Sequence, residues 1–214
     1  MSLDGYIDDT SDARLMLSGP EDLDRVDELR ARCDAILVGA GTIRADNPRL
    51  LLRSPARRDA RIARGAVPDP VRVVLTARGD LDPAARIFTS GGPDRVVYTA
   101  SVAVEGVRQR LDGLAEVIGA GDPLDLTAML ADLASRGIKR LMVEGGSSVH
   151  TSFLAAGLAD ELRLAVAPFF VGDSAAPRFV GDGSFPWRPG APAELTEVRQ
   201  VGNDAVLTYR LRRH

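Results

Sequence analysis

Two stretches of this chain set glycines at the end of an apolar run, where a backbone can pass close to a ligand. One is Cys33-Asp34-Ala35-Ile36-Leu37-Val38-Gly39-Ala40-Gly41-Thr42-Ile43-Arg44-Ala45-Asp46-Asn47-Pro48; the other is Arg140-Leu141-Met142-Val143-Glu144-Gly145-Gly146-Ser147-Ser148-Val149. Each reads as a buried strand running into residues without a Cβ. After Gly145 and Gly146 a helix pattern begins at once at Ser147, Ser148 and Val149, which leaves unpaired N–H groups beside the glycines. Such groups favour an anion, and a nucleotide phosphate is the commonest occupant in an α/β protein; a purely structural turn is the alternative. The first stretch is the weaker signal. Gly39-Ala40-Gly41 lacks the third glycine of the dinucleotide fingerprint, and a tight strand-exit turn explains it equally well. Asp46 lies four residues beyond Thr42 and can share its site, although Asp46-Asn47-Pro48 also suits an Asx-type turn. Glu144 is either a carboxylate bonded to nearby backbone N–H groups or a partly buried acid that bonds a substrate.

The elements that must position these residues follow from spacing. Leu23, Val26, Leu29 and Arg30 mark a helix after Ser18-Gly19-Pro20-Glu21-Asp22. Strands are expected at residues 35–38, 71–76, 95–99, 115–118, 139–143 and 161–167. Residues 53–69, rich in Arg, Ala and Pro, read as an exposed loop. A weak helix covers residues 104–111. Leu126, Met129, Leu130 and Leu133 form an amphipathic stripe capped by Asp125 and closed by Gly137. Val149, Phe153 and Leu154 mark the helix that Gly157 ends. Residues 194–201 and 205–211 flank Gly202-Asn203-Asp204, a hairpin signal. Alternating strands and helices predict an α/β fold: a mainly parallel central sheet with helices on both faces and a C-terminal antiparallel hairpin at its edge. One domain over residues 1–214 is expected.

Composition narrows the function. The 214 residues carry 45% hydrophobic side chains, enough for a well-buried core, and a formal net charge of −3, which disfavours nonspecific nucleic-acid binding. Cys33 is the only cysteine and His150 and His214 are the two histidines, so neither an internal disulfide nor a Cys/His metal centre is expected. Cys33, just before an apolar strand, reads as packed. Met1-Ser2-Leu3-Asp4-Gly5 has no signal-peptide pattern, and the most apolar stretch, residues 162–171, is interrupted by Arg163 and Pro168. A cytoplasmic protein without a membrane partner is expected.

Four motifs, in order, resemble the riboflavin-pathway pyrimidine reductases: Met1-Ser2-Leu3-Asp4-Gly5-Tyr6-Ile7, the run from Gly39 to Leu50, Val143-Glu144-Gly145-Gly146, and Gly157-Leu158-Ala159-Asp160-Glu161-Leu162 followed by Ala167-Pro168. Such enzymes form the reductase domain of a bifunctional deaminase–reductase and resemble dihydrofolate reductase in fold. The resemblance implies NADPH-dependent reduction of the ribosylamino group of a phosphoribosylaminopyrimidine to ribitylamino, in a single domain that homodimerises. The sugar ring opens to an imine, and hydride reaches the former anomeric carbon; such chemistry needs no metal, nucleophile or triad.

Position by position, the resemblance implies cofactor contacts at Thr42 and Asp46, at Ala77, and along residues 146–152, with Gly145, Gly146, Ser147, Ser148 and Val149 nearest the pyrophosphate. Arg78, beside Ala77, is a candidate for the cofactor's 2′-phosphate. Substrate positions fall on Arg14, Arg30, Leu50, Arg53 and Glu144. Arg53 suits the ribose phosphate, and Glu144 is the acid expected to orient the pyrimidine or the opened sugar. Arg14 replaces a serine common there, and Met16 stands where some relatives have a cofactor-facing tryptophan. Relatives place a strand just before Ser-Leu-Asp-Gly, so the natural start is expected upstream of Met1. The chain lacks the zinc-binding His/Cys set of the deaminase, so only the reductase step is expected of it. A reductase of another heterocycle, dihydrofolate included, and a nucleotide-binding relative without turnover are the alternatives.

Overall fold

The computed structural model describes residues 1–11, 15–92 and 94–211. It divides into two compact units, Asp27–Gly146 and Met1–Val26 with Ser147–His214, and the boundary falls inside helix α1 (Pro20–Ala31).

The unit Asp27–Gly146 is built on a five-stranded parallel sheet in the order β4-β3-β2-β1-β5. Its strands are β1 (Ala35–Gly39), β2 (Val71–Thr76), β3 (Arg95–Thr99), β4 (Glu116–Gly119) and β5 (Leu141–Gly145). Helices α2 (Ala40–Asp46), α3 (Pro55–Ala63), α4 (Arg86–Thr89), α5 (Val104–Leu111) and α6 (Leu126–Ser135) make the connections. β1 is buried at all of its positions, which its uniformly apolar sequence permits on both sheet faces. On one face Ile36, Val38, Val74, Val97 and Val117 meet Ile43 of α2, Ile87 and Phe88 of α4, and Val107 and Leu111 of α5. Asp125 caps α6 as its position predicts, accepting from the N–H groups of Thr127 at 2.8 Å and Ala128 at 3.0 Å.

Three expectations change. Residues 53–69 are not an exposed loop, because they contain α3. Ser54 accepts from Arg57 N as its N-cap, and Pro55 takes the first helical position, where a missing N–H costs nothing. The arginine-rich sequence hid a buried face. Arg61 packs its alkyl stem inward and satisfies its guanidinium on the carbonyls of Val67, Ala31 and Cys33 at 2.6–2.9 Å. Burial, with Arg64 nearby, pushes the Arg61 pKa down. Secondly, β5 begins at Leu141 rather than Lys139, because the Asp34 carboxylate takes the N–H groups of Lys139 and Arg140, each at 2.8 Å. Thirdly, β5 is half-buried along most of its length, not enclosed like β1, since it is the last strand of this sheet. Cys33 is buried, as read, and burial raises its thiol pKa.

In the other unit, α7 (Ser147–Ala155) is followed by a three-stranded antiparallel sheet, β6-β8-β7, of β6 (Glu161–Val166), β7 (Glu194–Val201) and β8 (Asp204–Arg210). The expected hairpin is β7–β8, and its partner is β6 rather than a parallel strand. Met1 lies along β6, its amino group donating to Ala165 O at 2.6 Å while Ala167 N donates to Met1 O at 2.8 Å. The Ser-Leu-Asp-Gly motif has a local structural task here. Asp4 accepts from Ser2 Oγ and from the N–H groups of Val171 and Gly172, and the Ser2 bond leads in holding its carboxyl down to about 2. No helix among the described residues is long and apolar enough to cross a membrane.

Candidate active site

In the parallel sheet, β2, β3 and β4 succeed one another on one side of β1, whereas β5 lies on the other. The chain therefore reverses its winding between β1 and β5. Ligands of open α/β sheets bind outside the carboxyl ends of the strands at such a reversal. Both glycine stretches end there: Gly39 closes β1 and Gly145 closes β5, with Val38 paired to Gly145.

Glu144 owes its position to an irregularity in this pairing. Leu37 pairs with Val143 but Val38 pairs with Gly145, so Glu144 is the extra residue of a bulge. A bulge re-aims a side chain out of the regular alternation. Arg30 of α1 meets it in a forked pair, Nε to Oε1 and Nη2 to Oε2, each at 2.6 Å. The two side chains are only 18% and 15% exposed. Burial works against the Arg30 charge, but the hydrogen bonds and charge of Glu144, with Asp27 beyond it, outweigh that and raise its pKa. Planar fork-to-fork pairing fixes orientation as well as charge. Between the alternatives for Glu144, its hydrogen-bond partner among the described residues is Arg30 and not a local backbone N–H group.

One turn earlier on α1, Asp27 is buried and accepts from Arg53 N at 2.7 Å, Ser54 N at 3.2 Å and Arg57 Nη1 at 2.9 Å. Sequence reading passed over this residue, although a carboxylate at i−3 to Arg30 on the inward side of a helix was a signal. Arg53 itself is exposed, and its guanidinium bonds none of the described residues. Leu50 is in the core with a left-handed φ of 53°, so only its main chain is available to a ligand.

Thr42 and Asp46 sit one turn apart on α2, both half-buried. Gly39 is the N-cap of α2 and Gly41 lies within it, so the first glycine stretch is a strand-to-helix junction. Thr42 Oγ1 stands close to Gly146: a Cβ built there would come within 3.3 Å of it. The Gly145–Gly146 peptide is cis. Asn47 ends α2 in a left-handed conformation and accepts from Arg86 N at 2.7 Å, which ties α4 to this corner.

Ala77 and Arg78 follow β2 and are exposed. Their turn is braced: Gly79 N donates to Thr76 Oγ1 at 3.1 Å and Arg110 Nη1 donates to Gly79 O at 2.6 Å. Gly79 has a φ of 69°, and a Cβ there would lie 2.1 Å from Val107 Cγ2. Only glycine fits this position. The Arg78 guanidinium bonds none of the described residues. Ser147, Ser148 and Val149 open α7 in the other unit, with Val149 buried. Met16 is exposed, and Arg14 lies outside the described residues. Thr42, Asp46, Ala77, Arg78, Gly145, Gly146, Arg30, Leu50, Arg53 and Glu144 thus all belong to one unit, most of them on or next to the carboxyl ends of its strands.

The model of the RibD C-terminal domain family matches residues 1–207. The chain is 36% identical over 213 residues to the 2,5-diamino-6-ribosylamino-4(3H)-pyrimidinone 5′-phosphate reductase of Archaeoglobus fulgidus, covering 99% of this chain and 95% of that protein. Against the reductase of the same name from Methanothermobacter thermautotrophicus it is 37% identical over 214 residues, with the same coverage of 99% and 95%. Among solved structures, a pyrimidine reductase-like protein from Corynebacterium diphtheriae matches with a TM-score of 0.80 at 26% identity, over 100% of this chain and 89% of that one. RibD from Acinetobacter baumannii matches with a TM-score of 0.78 at 26% identity, over 98% of this chain and 55% of that one. The order of strands, the glycine-bearing strand ends and these matches agree: the chain belongs to the RibD C-terminal domain family of pyrimidine reductases.

Proposed function

We propose that this chain is the NADPH-dependent reductase of riboflavin biosynthesis that converts the ribosylamino side chain of a 5-amino-6-(5-phosphoribosylamino)pyrimidine to ribitylamino. The observation that carries the reading is the forked Arg30–Glu144 pair, raised on a strand bulge beside Gly145 and Gly146 at the winding reversal of the sheet. Its relatives named as pyrimidinone 5′-phosphate reductases, similar over nearly their full length, support the substrate class.

The residues fit a dinucleotide. The close approach of Thr42 Oγ1 to Gly146 would crowd a side chain there and offers a hydroxyl beside the bare backbone. Thr42, Asp46, Gly145 and Gly146 would hold the cofactor, and Arg78, on a braced turn and bonded to none of the described residues, would take a 2′-phosphate. When bound, NADPH supplies the hydride. The chain's own residues bind and orient. Glu144 accepts from N–H or O–H donors of the pyrimidine or the opened sugar, and Arg30 keeps that carboxylate aimed. Arg53 meets the ribose phosphate, which anchors the imine carbon against rotation. In this reading the chain acts as one reductase domain, in the cytoplasm and as a homodimer.

An NADPH oxidation assay tests it, with the two aminopyrimidine ribose phosphates and dihydrofolate as separate substrates. Turnover of a pyrimidine phosphate is expected. Turnover of dihydrofolate alone, or no saturable association with NADPH, would reject the reading.

A further inference from the structure

We infer that Asp27 is the positioning residue for the substrate's phosphate, a buried carboxylate that fixes the main chain at Arg53 so that its guanidinium stands free for a dianion. The inference rests on the reading of Arg53 as the phosphate ligand. A carboxylate that is 2% exposed is costly unless its oxygens are filled. Those of Asp27 are filled by two main-chain donors, Arg53 N and Ser54 N, and by one cation, Arg57. The consequences for neighbouring arginines are opposite. Arg57 pairs its charge with Asp27, whereas Arg53 has its backbone clamped and its guanidinium bonded to none of the described residues.

Fixing the main chain removes freedom before the ligand arrives, so only side-chain rotations remain to be lost on binding. The same helix turn holds the other half of the site. Arg30, three residues on from Asp27, forks onto Glu144, so α1 carries both the support of the acid and the support of the phosphate arginine. A carboxylate needed only to start α3 would be redundant, since Ser54 already caps that helix through Arg57 N.

The test uses the full chain and four variants: Asp27→Asn, Arg53→Ala, the double variant and Arg57→Leu. KM and kcat are measured at saturating NADPH for the phosphorylated substrate and for its dephosphorylated nucleoside. Asp27→Asn is expected to raise KM for the phosphorylated substrate about tenfold, with kcat and the nucleoside KM within about twofold, and to add little to Arg53→Ala. Equal rises in both KM values, or effects that multiply in the double variant, would overturn the inference and leave Arg53 in place. An unchanged KM ratio in Arg53→Ala would remove Arg53 as the phosphate ligand, and the inference with it. If circular dichroism shows Asp27→Asn to be unfolded, Arg57→Leu decides, because it spares both main-chain bonds. It is expected to keep the KM ratio within about twofold. A rise there matching Arg53→Ala would assign the phosphate to Arg57 and overturn the inference.

Discussion

Thr42 and Gly146, more than a hundred residues apart in sequence, stand so close that a single added carbon on Gly146 would approach the Thr42 hydroxyl to 3.3 Å. This contact joins the two glycine stretches at the ends of β1 and β5. It makes Gly146→Val a sharp probe of the proposed cofactor site. The branched side chain must displace Thr42 or fill the space over the backbone, so the NADPH dissociation constant is expected to rise about tenfold or more. Fluorescence titration reads it directly, and unchanged affinity in a folded variant would place the cofactor elsewhere.

The Arg30–Glu144 fork is tested by a double-mutant cycle. Arg30→Met or Glu144→Gln alone leaves a half-buried charge without its ion partner, whereas the double variant removes both charges. A coupling of about 1–3 kcal/mol is expected from urea unfolding of the four proteins. In turnover the expectation differs: Glu144→Gln lowers kcat/KM strongly, and adding Arg30→Met does not restore it. Additive stabilities would mean that the fork contributes nothing.

Arg78 bears on the choice of cofactor. Its turn is held by Gly79 and Arg110, yet its guanidinium is unpaired among the described residues. Arg78→Gln is expected to reduce the preference for NADPH over NADH, in kcat/KM, by about tenfold or more while leaving NADH turnover intact. A preference that does not move would return Arg78 to the role of a solvated surface residue.

The β7–β8 turn gives a pH dependence of stability. Burial, and then the charge of Asp22, raise the pKa of Asp204, which is itself buried. A carboxyl whose folded pKa is raised holds its proton more tightly in the native state. Its ionisation therefore costs stability as pH rises from the ordinary carboxylate value through the folded one. Asp204→Asn keeps an acceptor for Gly19 N and removes that cost. Relative to the wild type, the variant should gain stability as pH rises above the ordinary carboxylate value, read by urea unfolding across that rise. A difference that stays constant with pH would show that Asp204 carries no such penalty.

Much of the sheet and its covering helices was legible because local signals agreed. Val71 to Thr76 and Arg95 to Thr99 have the observed limits of β2 and β3, bounded by turn residues that stop an apolar run. Asp125 capped α6 where its spacing placed it. Helix α3 was illegible for a physical reason: the side chain it buries, Arg61, is charged, and what satisfies it are carbonyls at Val67, Ala31 and Cys33 that periodicity does not reveal. α4 was too short to leave a period at all.

The sequence by itself singled out the residues proposed to carry the chemistry: glycines where a backbone is bared, Glu144 at a strand end, and arginines suited to phosphate. Those are local properties of residue type and spacing. Tertiary structure alone decided that β5 lies on the far side of β1, that a bulge brings Glu144 to Arg30, and that Asp27 accepts from the main chain of Arg53. Such facts depend on strand order, register and long-range pairing, in which residues 26 to 114 positions apart share hydrogen bonds. No short-range pattern encodes them, because their energies exist only after the sheet has closed around its core.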